Sequence, residues 1–308
     1  MKPVTAPLLV MGEALTDLVP TNDGSGSYIP LPGGAPANVA AGLARLGIPV
    51  AFVGTLGDDR FGGQCEERLR KAGVTLDLCG HSDLPTAVAV ASLTDAGTHY
   101  SFYVQDTATF RFPARTEGLD QFAAVYVGGL AAVLPQAADE VFATAQAAAQ
   151  QSVLAVDPNV RAVRGLDEAQ SRFRLRELCS LAQVIKVSDE DAAWLWPGEE
   201  PDRVCRRMAD EGRLVVLTRG ARGSSAFLPF EDRVSVESVP VSLVNTIGAG
   251  DAFMAAVLAQ LARHGGLVDR DPASITHMQA AQLLRYGSLM AAWVCGRADA
   301  DLPSSLSD

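Results

Sequence analysis

Gly248, Ala249, Gly250 and Asp251 are the stretch of this chain best suited to chemistry: two glycines bracket an alanine and an aspartate follows at once. An alanine-rich apolar segment then runs to about Arg263 with helical spacing, so the pattern predicts a glycine turn that opens a helix. Such a turn binds anions. Glycines can take positive φ and let backbone N–H groups approach a ligand, and the first helical turn adds unpaired donors and the positive end of the helix dipole. Asp251 falls where those donors converge. A carboxylate there can take the proton of a hydroxyl as its oxygen attacks a phosphoryl group, while the N–H cluster stabilises the developing charge. The plain alternative is an aspartate helix cap behind a flexible turn.

Other residues with chemical potential lie along the chain. Asp17 follows the apolar run at residues 8–11 and its Gly12-Glu13 exit, and can bind a polar ligand or stand as a solvated strand residue. Gly33 and Gly34 precede Ala35-Pro36-Ala37-Asn38, where Pro36 suits a first helical turn. The two glycines would let a ligand lie against the backbone, and the Asn38 amide offers hydroxyls both a donor and an acceptor. Asp157-Pro158-Asn159-Val160-Arg161 puts a cation and an amide in one turn. Lys186-Val187-Ser188-Asp189-Glu190-Asp191 crowds carboxylates at a helix start, able to hold Mg²⁺ through waters, with Ser188 also an ordinary helix cap. Thr218 to Gly223, with Gly220 inside it, offers a glycine turn for a nucleotide.

The elements that must position these residues alternate. Strands are predicted at residues 8–11, 50–54, 123–127, 153–156, 184–187 and 214–217, with a strand pair between 224 and 239. Helices are predicted from Pro36 to Gly47, then over 61–72, 136–150, 167–181, 189–195 and 202–210, after Asp251, and over 278–293. The implied fold class is α/β, a mostly parallel sheet with helices on both faces, and ligands of such sheets gather at the carboxyl ends of the strands. The β-branched and aromatic runs 86–93 and 98–105 around Asp95-Ala96-Gly97 break the alternation as a hairpin, suited to a small β lid beside the sheet or to a plain edge hairpin.

Bulk properties narrow the partners. With 25 basic against 36 acidic residues the net charge is −11, which speaks against nucleic acid or an anionic membrane. A phosphate ligand must then be held by backbone donors and a few cations. The five cysteines, at 65, 79, 179, 205 and 295, are odd in number, scattered and without a CxxC pair, as suits reduced thiols in a cytoplasmic protein. The longest mostly apolar stretch, 122–138, carries two glycines and Pro135, so no membrane span is expected. Neither a G-x-x-x-x-G-K-[ST] phosphate loop nor a G-x-S-x-G hydrolase motif occurs.

Taken in order, Gly12-Glu13…Asp17, Gly33 to Asn38, Asp157 to Arg161, Lys186 to Asp191, Thr218 to Gly223 and Gly248 to Asp251 make the chain resemble the ribokinase-like (pfkB) carbohydrate kinases over nearly its whole length. The Gly-Gly-Ala-Pro-Ala-Asn form most resembles the fructokinase branch. The resemblance implies one kinase domain over residues 1–308, with lid strands from about 14–30 and 86–112, that transfers the γ-phosphoryl of ATP to a hydroxyl of fructose or a related keto sugar or sugar acid. It implies Asp251 as catalytic base and the Gly248, Ala249, Gly250 and Asp251 amides as anion hole, with Arg161 near the reacting groups. By the same route Asp17, Gly33, Gly34, Asn38 and Asp251 face the sugar, Lys186, Thr218, Gly220, Gly223 and Gly250 serve ATP, and the lid pairs two copies as a homodimer. Alternatives are a nucleoside kinase of the same fold and a sugar-responsive binding protein without turnover.

Three departures concern metals. Asn245 stands where the family usually has Asp, so at the expected monovalent-cation loop, which Ile247 shares, the amide lacks the charge that helps bind K⁺; this counts against potassium activation. Asp191 is one methylene shorter than the usual Glu, so a water-mediated Mg²⁺ role is weaker or passes to Glu190. Asp299 replaces a common glycine beside the same cation loop, a change that pairs with Asn245 as a charge swap.

Overall fold

The computed structural model describes residues 6–21, 25–94, 97–267, 269–297 and 301–303, so the predicted hairpin residues Asp95 and Ala96, and Asp299, lie outside the described residues. In chain order the first half runs β1 (Leu8–Met11), β2 (Leu15–Pro20), β3 (Tyr28–Gly33), α1 (Ala35–Arg45), β4 (Val50–Val53), β5 (Thr55–Gly57), α2 (Arg60–Ala72), β6 (Gly80–Ser82), β7 (Val88–Thr94) and β8 (Gly97–Tyr103). Then come β9 (Ala124–Gly128), α3 (Ala138–Gln151), β10 (Val153–Asp157), α4 (Glu168–Leu181), β11 (Val184–Ser188), α5 (Asp189–Leu195), α6 (Pro201–Asp210) and β12 (Leu214–Thr218). The chain continues through β13 (Ser224–Phe227), β14 (Val234–Val236), α7 (Ala249–Arg263) and α8 (His277–Cys295).

The main sheet has the order β14-β13-β12-β11-β10-β9-β1-β4. From β4 to β12 every pairing is parallel, and β13 and β14 complete the other edge antiparallel. Its strands are apolar on both sides because both faces are covered. Leu8 and Val10 of β1 point into a core shared with α1, α2, α7 and α8, whereas Leu9 and Met11 point into one shared with α3, α4, α5 and α6. The period-2 alternation of a strand thus feeds two separate cores.

In a second sheet, β3-β2-β7-β8, β7 and β8 fall where the hairpin is predicted and β2 and β3 where the resemblance implies lid strands, β3 running on to Gly33; β2 and β7 are parallel and the other pairs antiparallel. The small β5–β6 pair has no counterpart in the sequence-based expectation, because three-residue strands such as Thr55–Gly57 are too short to show a period.

Helix α7 is buried around nearly its whole circumference, from Asp251 to Ala262. Small residues make this possible. A Cβ on Gly42 of α1 would come within 2.9 Å of the Ala255 methyl, and one on Gly287 of α8 within 2.9 Å of the Phe253 ring. The neighbouring helices therefore approach α7 at glycine notches. Among the described residues no helix is long and apolar enough to cross a membrane, and all five cysteines are free thiols.

Candidate active site

The carboxyl ends of β1, β9, β10, β11 and β12 all point to one side of the main sheet, and the start of α7 lies on that side. Gly248 caps α7 with φ 78°, a left-handed value that favours glycine, and no side chain caps the helix. The Ala249 amide bonds Thr246 O at 3.3 Å, and the Gly250 and Asp251 amides meet no acceptor among the described residues. Open donors on a half-buried turn are suited to an anion, the role the sequence reading expects of them.

Asp251 is buried at the third position of this helix and held from two sides. Asn38 Nδ2 donates to Oδ2 at 2.8 Å and Asn159 Nδ2 donates to Oδ1 at 3.3 Å. Asn159 takes φ 43°, a left-handed conformation that Asn tolerates better than most residues. Burial pushes the Asp251 carboxyl above its ordinary range, opposed by the Asn38 hydrogen bond and by Arg161, Lys186 and Arg68. A carboxylate made more basic in this way is a better proton acceptor near neutrality.

The small sheet supplies the facing wall. Asp17, on β2, lies over Gly33, where any Cβ would overlap its Oδ2. Burial, followed by repulsion from Asp251, raises the Asp17 carboxyl to about 7 against the pull of Arg68 and Arg161. Gly34, the cap of α1 at φ 98°, lies with its missing Cβ 2.6 Å from Glu13 O. Asp17, Gly33 and Asn38 line one cleft of about 320 Å³ together with Arg68, Arg45 and Ile247. A neighbouring cavity of about 640 Å³ is lined by Asn159, Arg161, Arg164 and the Tyr100 and Phe102 of β8, whose rings stack at 5.8 Å.

Lys186, which the resemblance assigns to ATP, is buried against the turn that heads α7, its ammonium 2.8 Å from Asp157 Oδ2 and 3.0 Å from the point a Cβ on Gly250 would occupy. Burial alone would lower its pKa, but Asp157, Asp191 and Asp251 reverse this and raise it, so the ammonium stays charged beside the turn. Burial also lifts Asp157 to about 6 against the attraction of Lys186, and Asp157 Oδ1 has no partner among the described residues. The pair places a buried positive charge against the glycine turn that heads α7.

Thr218 and Gly220 (φ 53°), which the sequence reading assigns to the nucleotide, stand at the exposed end of β12. Gly223 is buried, and its missing Cβ makes room for Val236 O of β14, so this glycine is required by the strand pairing. Asp191 is likewise a structural residue: its Oδ1 accepts from Val160 N at 3.0 Å, and it closes a capping box with Ser188. Glu190 beside it is exposed. Asn245 ties the turn before α7 to the end of α8, its Nδ2 donating to Arg297 O at 2.7 Å and its Oδ1 accepting from Ile247 N at 2.8 Å.

Two residues of the site escaped the sequence reading, and Asn159 was read only as the amide of the Asp157 to Arg161 turn, without its partner. Glu13 is buried, accepts from Leu130 N at 3.0 Å and Ala131 N at 3.1 Å, and is raised by burial to about 7. Arg68 looked like one basic residue of an amphipathic helix, yet its Nη1 donates to Asn38 Oδ1 at 2.9 Å.

This architecture, with its sheet order, second sheet and glycine-headed α7, is that of the ribokinase-like kinases. The fructokinase of Xylella fastidiosa, solved with bound ATP, superposes with a TM-score of 0.84 at 26% identity, covering 96% of this chain and 93% of that one. The fructokinase from Vibrio cholerae O395, solved in a fructose, ADP and calcium ion bound form, gives 0.82 at 26% identity over 96% and 94%. In sequence, a fructokinase of Rhizobium leguminosarum bv. trifolii is 32% identical over 288 residues, 91% of this chain and 86% of that protein. The pfkB family carbohydrate kinase model matches residues 6–306, and the chain belongs to that family. It is an ATP-dependent sugar kinase, as its motif order implied.

Proposed function

We propose that the acceptor is fructose or a closely related neutral keto sugar, and that Asp251 is the catalytic base. The observation that carries this reading is the placement of the Asp251 carboxylate at the head of α7, beside open amides and facing Asp17. The sugar hydroxyl gives its proton to Asp251 as its oxygen attacks the γ-phosphorus. The bond to the β-phosphate oxygen breaks, its electron pair leaves with ADP, and Asp251 later returns the proton to water. The Gly248 to Asp251 amides, Lys186 from below and Arg161 from the side offset the charge on the transferred group.

Charge in the sugar cleft favours a neutral acceptor. Its five ionisable residues besides Asp17 are paired: Lys71 with Glu67, and both Arg45 and Arg68 with Asp301. Each of these cations already has a carboxylate partner, and Asp17 in its ionised form would repel a sugar acid. Relatives carrying the name fructokinase support the same choice. Thr218 and Gly220 serve the nucleotide. Mg²⁺ would arrive on its phosphates, with exposed Glu190 the available carboxylate through water, and would neutralise phosphate charge. The small sheet acts as a lid that excludes water, and its exposed Tyr28, Ile29 and Tyr103 are the surface through which two copies pair. Reduced thiols and the acidic charge suit the cytoplasm.

Turnover does not depend on K⁺ in this reading, because the Asn245 amide already fastens the two loops that a cation would bridge. The test is ADP release with Mg-ATP over fructose, other ketoses, aldoses, keto sugar acids and nucleosides, each with and without K⁺. Nucleosides belong in the panel because Tyr100 and Phe102 could stack on a base. Fructose should give the highest kcat/KM, unchanged by K⁺; a preference for a sugar acid or a nucleoside overturns the assignment.

A further inference from the structure

We infer that Arg68, held by the carboxylate of Asp301 in the C-terminal tail, is a positioning residue that fixes the Asn38 amide against Asp251. The inference rests on Asp251 as catalytic base. An amide presents oxygen at one end and two N–H donors at the other, and only the donor end can serve a carboxylate. A guanidinium has no acceptor, so Arg68 Nη1 at 2.9 Å compels the oxygen end of Asn38 to face α2 and the donor end to face Asp251 at 2.8 Å. The acceptor Asp251 and the donor Arg68 thus select the same orientation of the amide from its two ends, and Arg68 keeps that orientation when Asp251 is protonated.

Arg68 is in turn immobilised. Its Nε and Nη2 meet Asp301 Oδ1 at 3.0 and 2.9 Å, and only about a tenth of its side chain is exposed (11%). Asp301 is anchored by its neighbour: Leu302 is buried in the core against Gly42 of α1, and Arg45 grips both Leu302 O at 2.8 Å and Asp301 Oδ2 at 2.6 Å. A chain of contacts therefore runs from the tail through Asp301, Arg68 and Asn38 to the base, joining residues about 260 positions apart in the sequence to one rotamer.

The charged and titratable groups that face Asp251 come from every packed element: Arg68 from α2, Arg161 beyond β10, Lys186 from β11, Asp157 from β10, Asp17 from β2 and Glu13 after β1. Loss of Arg68 removes both a cation from this set and the constraint on the Asn38 donor, and both losses favour the protonated base. The test is the pH profile of kcat/KM for the sugar, together with kcat and KM for both substrates, in Arg68→Met, Arg68→Lys, Asp301→Asn and Asn38→Ala.

Arg68→Met should lower kcat about tenfold and move the acid limb upward by about half a pH unit or more, with the KM for ATP unchanged. Arg68→Lys keeps the charge but cannot fork to Asn38 and Asp301 together, and should show the kcat loss with a smaller pH shift. Asp301→Asn should act in the same direction by about threefold. In an Asn38→Ala background, Arg68→Met should cost little more. An acid limb and kcat at wild-type values in Arg68→Met, or full independent losses in the double variant, overturn the inference. If Asp251→Asn abolishes turnover while Arg68→Met leaves the profile in place, only this inference fails; near-normal turnover of Asp251→Asn overturns it together with the assignment of the base.

Discussion

Two helices of this protein begin in the same way and are used differently. Both α1 and α7 start behind a glycine of positive φ, Gly34 at 98° and Gly248 at 78°, and neither has a side-chain cap. At α1 the space left by the glycines is filled by the protein itself, with the Asp17 carboxyl over Gly33 and the Glu13 carbonyl against Gly34. At α7 the amides stay open and a buried ammonium lies beneath. One glycine turn thus receives a carboxylate, and the other keeps its amides open. In the proposed function a similar run of small residues serves recognition in one place and transfer in the other, and what separates them is which side chains of other elements come to rest there.

The sharpest way to break this comparison is at the head of α7. Asp251→Asn keeps the size and helix position of the side chain but cannot take a proton, so kcat should fall by about 10²-fold to 10⁴-fold. ADP release under saturating sugar and ATP measures this, and turnover close to wild type would show that α7 only binds. Gly250→Ala comes next. Its methyl would stand 3.0 Å from Lys186 Nζ, whose pairing with Asp157 leaves it little room to retreat. We expect kcat to drop about tenfold to hundredfold, at or below the cost of one lost oxyanion donor, with the urea midpoint near wild type.

The corresponding change at α1 should strike binding. Gly33→Ala displaces the Asp17 carboxyl, so the KM for the sugar should rise about tenfold while kcat stays within about threefold. Equal losses in kcat would show that the two turns do not divide their labour. The smallest effect concerns Glu13, under the start of α1. Its carboxyl is raised from 4.5 to about 7, so the folded state binds the proton more tightly than the unfolded chain. The stabilisation this provides is complete below about pH 4.5 and disappears as pH rises through about 7. Glu13→Gln should therefore flatten the decline in stability over that window, read from urea unfolding at several pH values; an unaltered slope would place Glu13 outside the titration.

Much of this arrangement was legible because local chemistry announces it. Glycine turns, Pro36 in a first helical turn and the alternation of apolar runs with amphipathic ones are short-range signals, and they foretold the sheet, its helices and the order of the motifs. What stayed hidden depends on distance along the chain. Asn38 and Asp251 are 213 residues apart, and Asn159 lies 92 from its partner, so no spacing rule joins them. The partners of Lys186 and Asp191 stayed hidden for a related reason: each polar side chain is buried against a group from another turn or strand, Asp157 for one and Val160 N for the other. Gly223 looked like part of a nucleotide turn because its neighbour strand β14 is only three residues long and leaves almost no periodic trace.

The sheathing of α7 bears on how such a protein could change its diet. A helix enclosed by glycine notches and apolar packing from Ala252 to Ala262 cannot tilt or slide without disturbing both neighbours, so Asp251 keeps one address through any remodelling that preserves the core. If Asp251 is the base proposed above, descendants that took up a different acceptor would have to rewrite the opposite wall, at positions such as Asp17, Gly33 and Tyr100, and would inherit the head of α7 unedited.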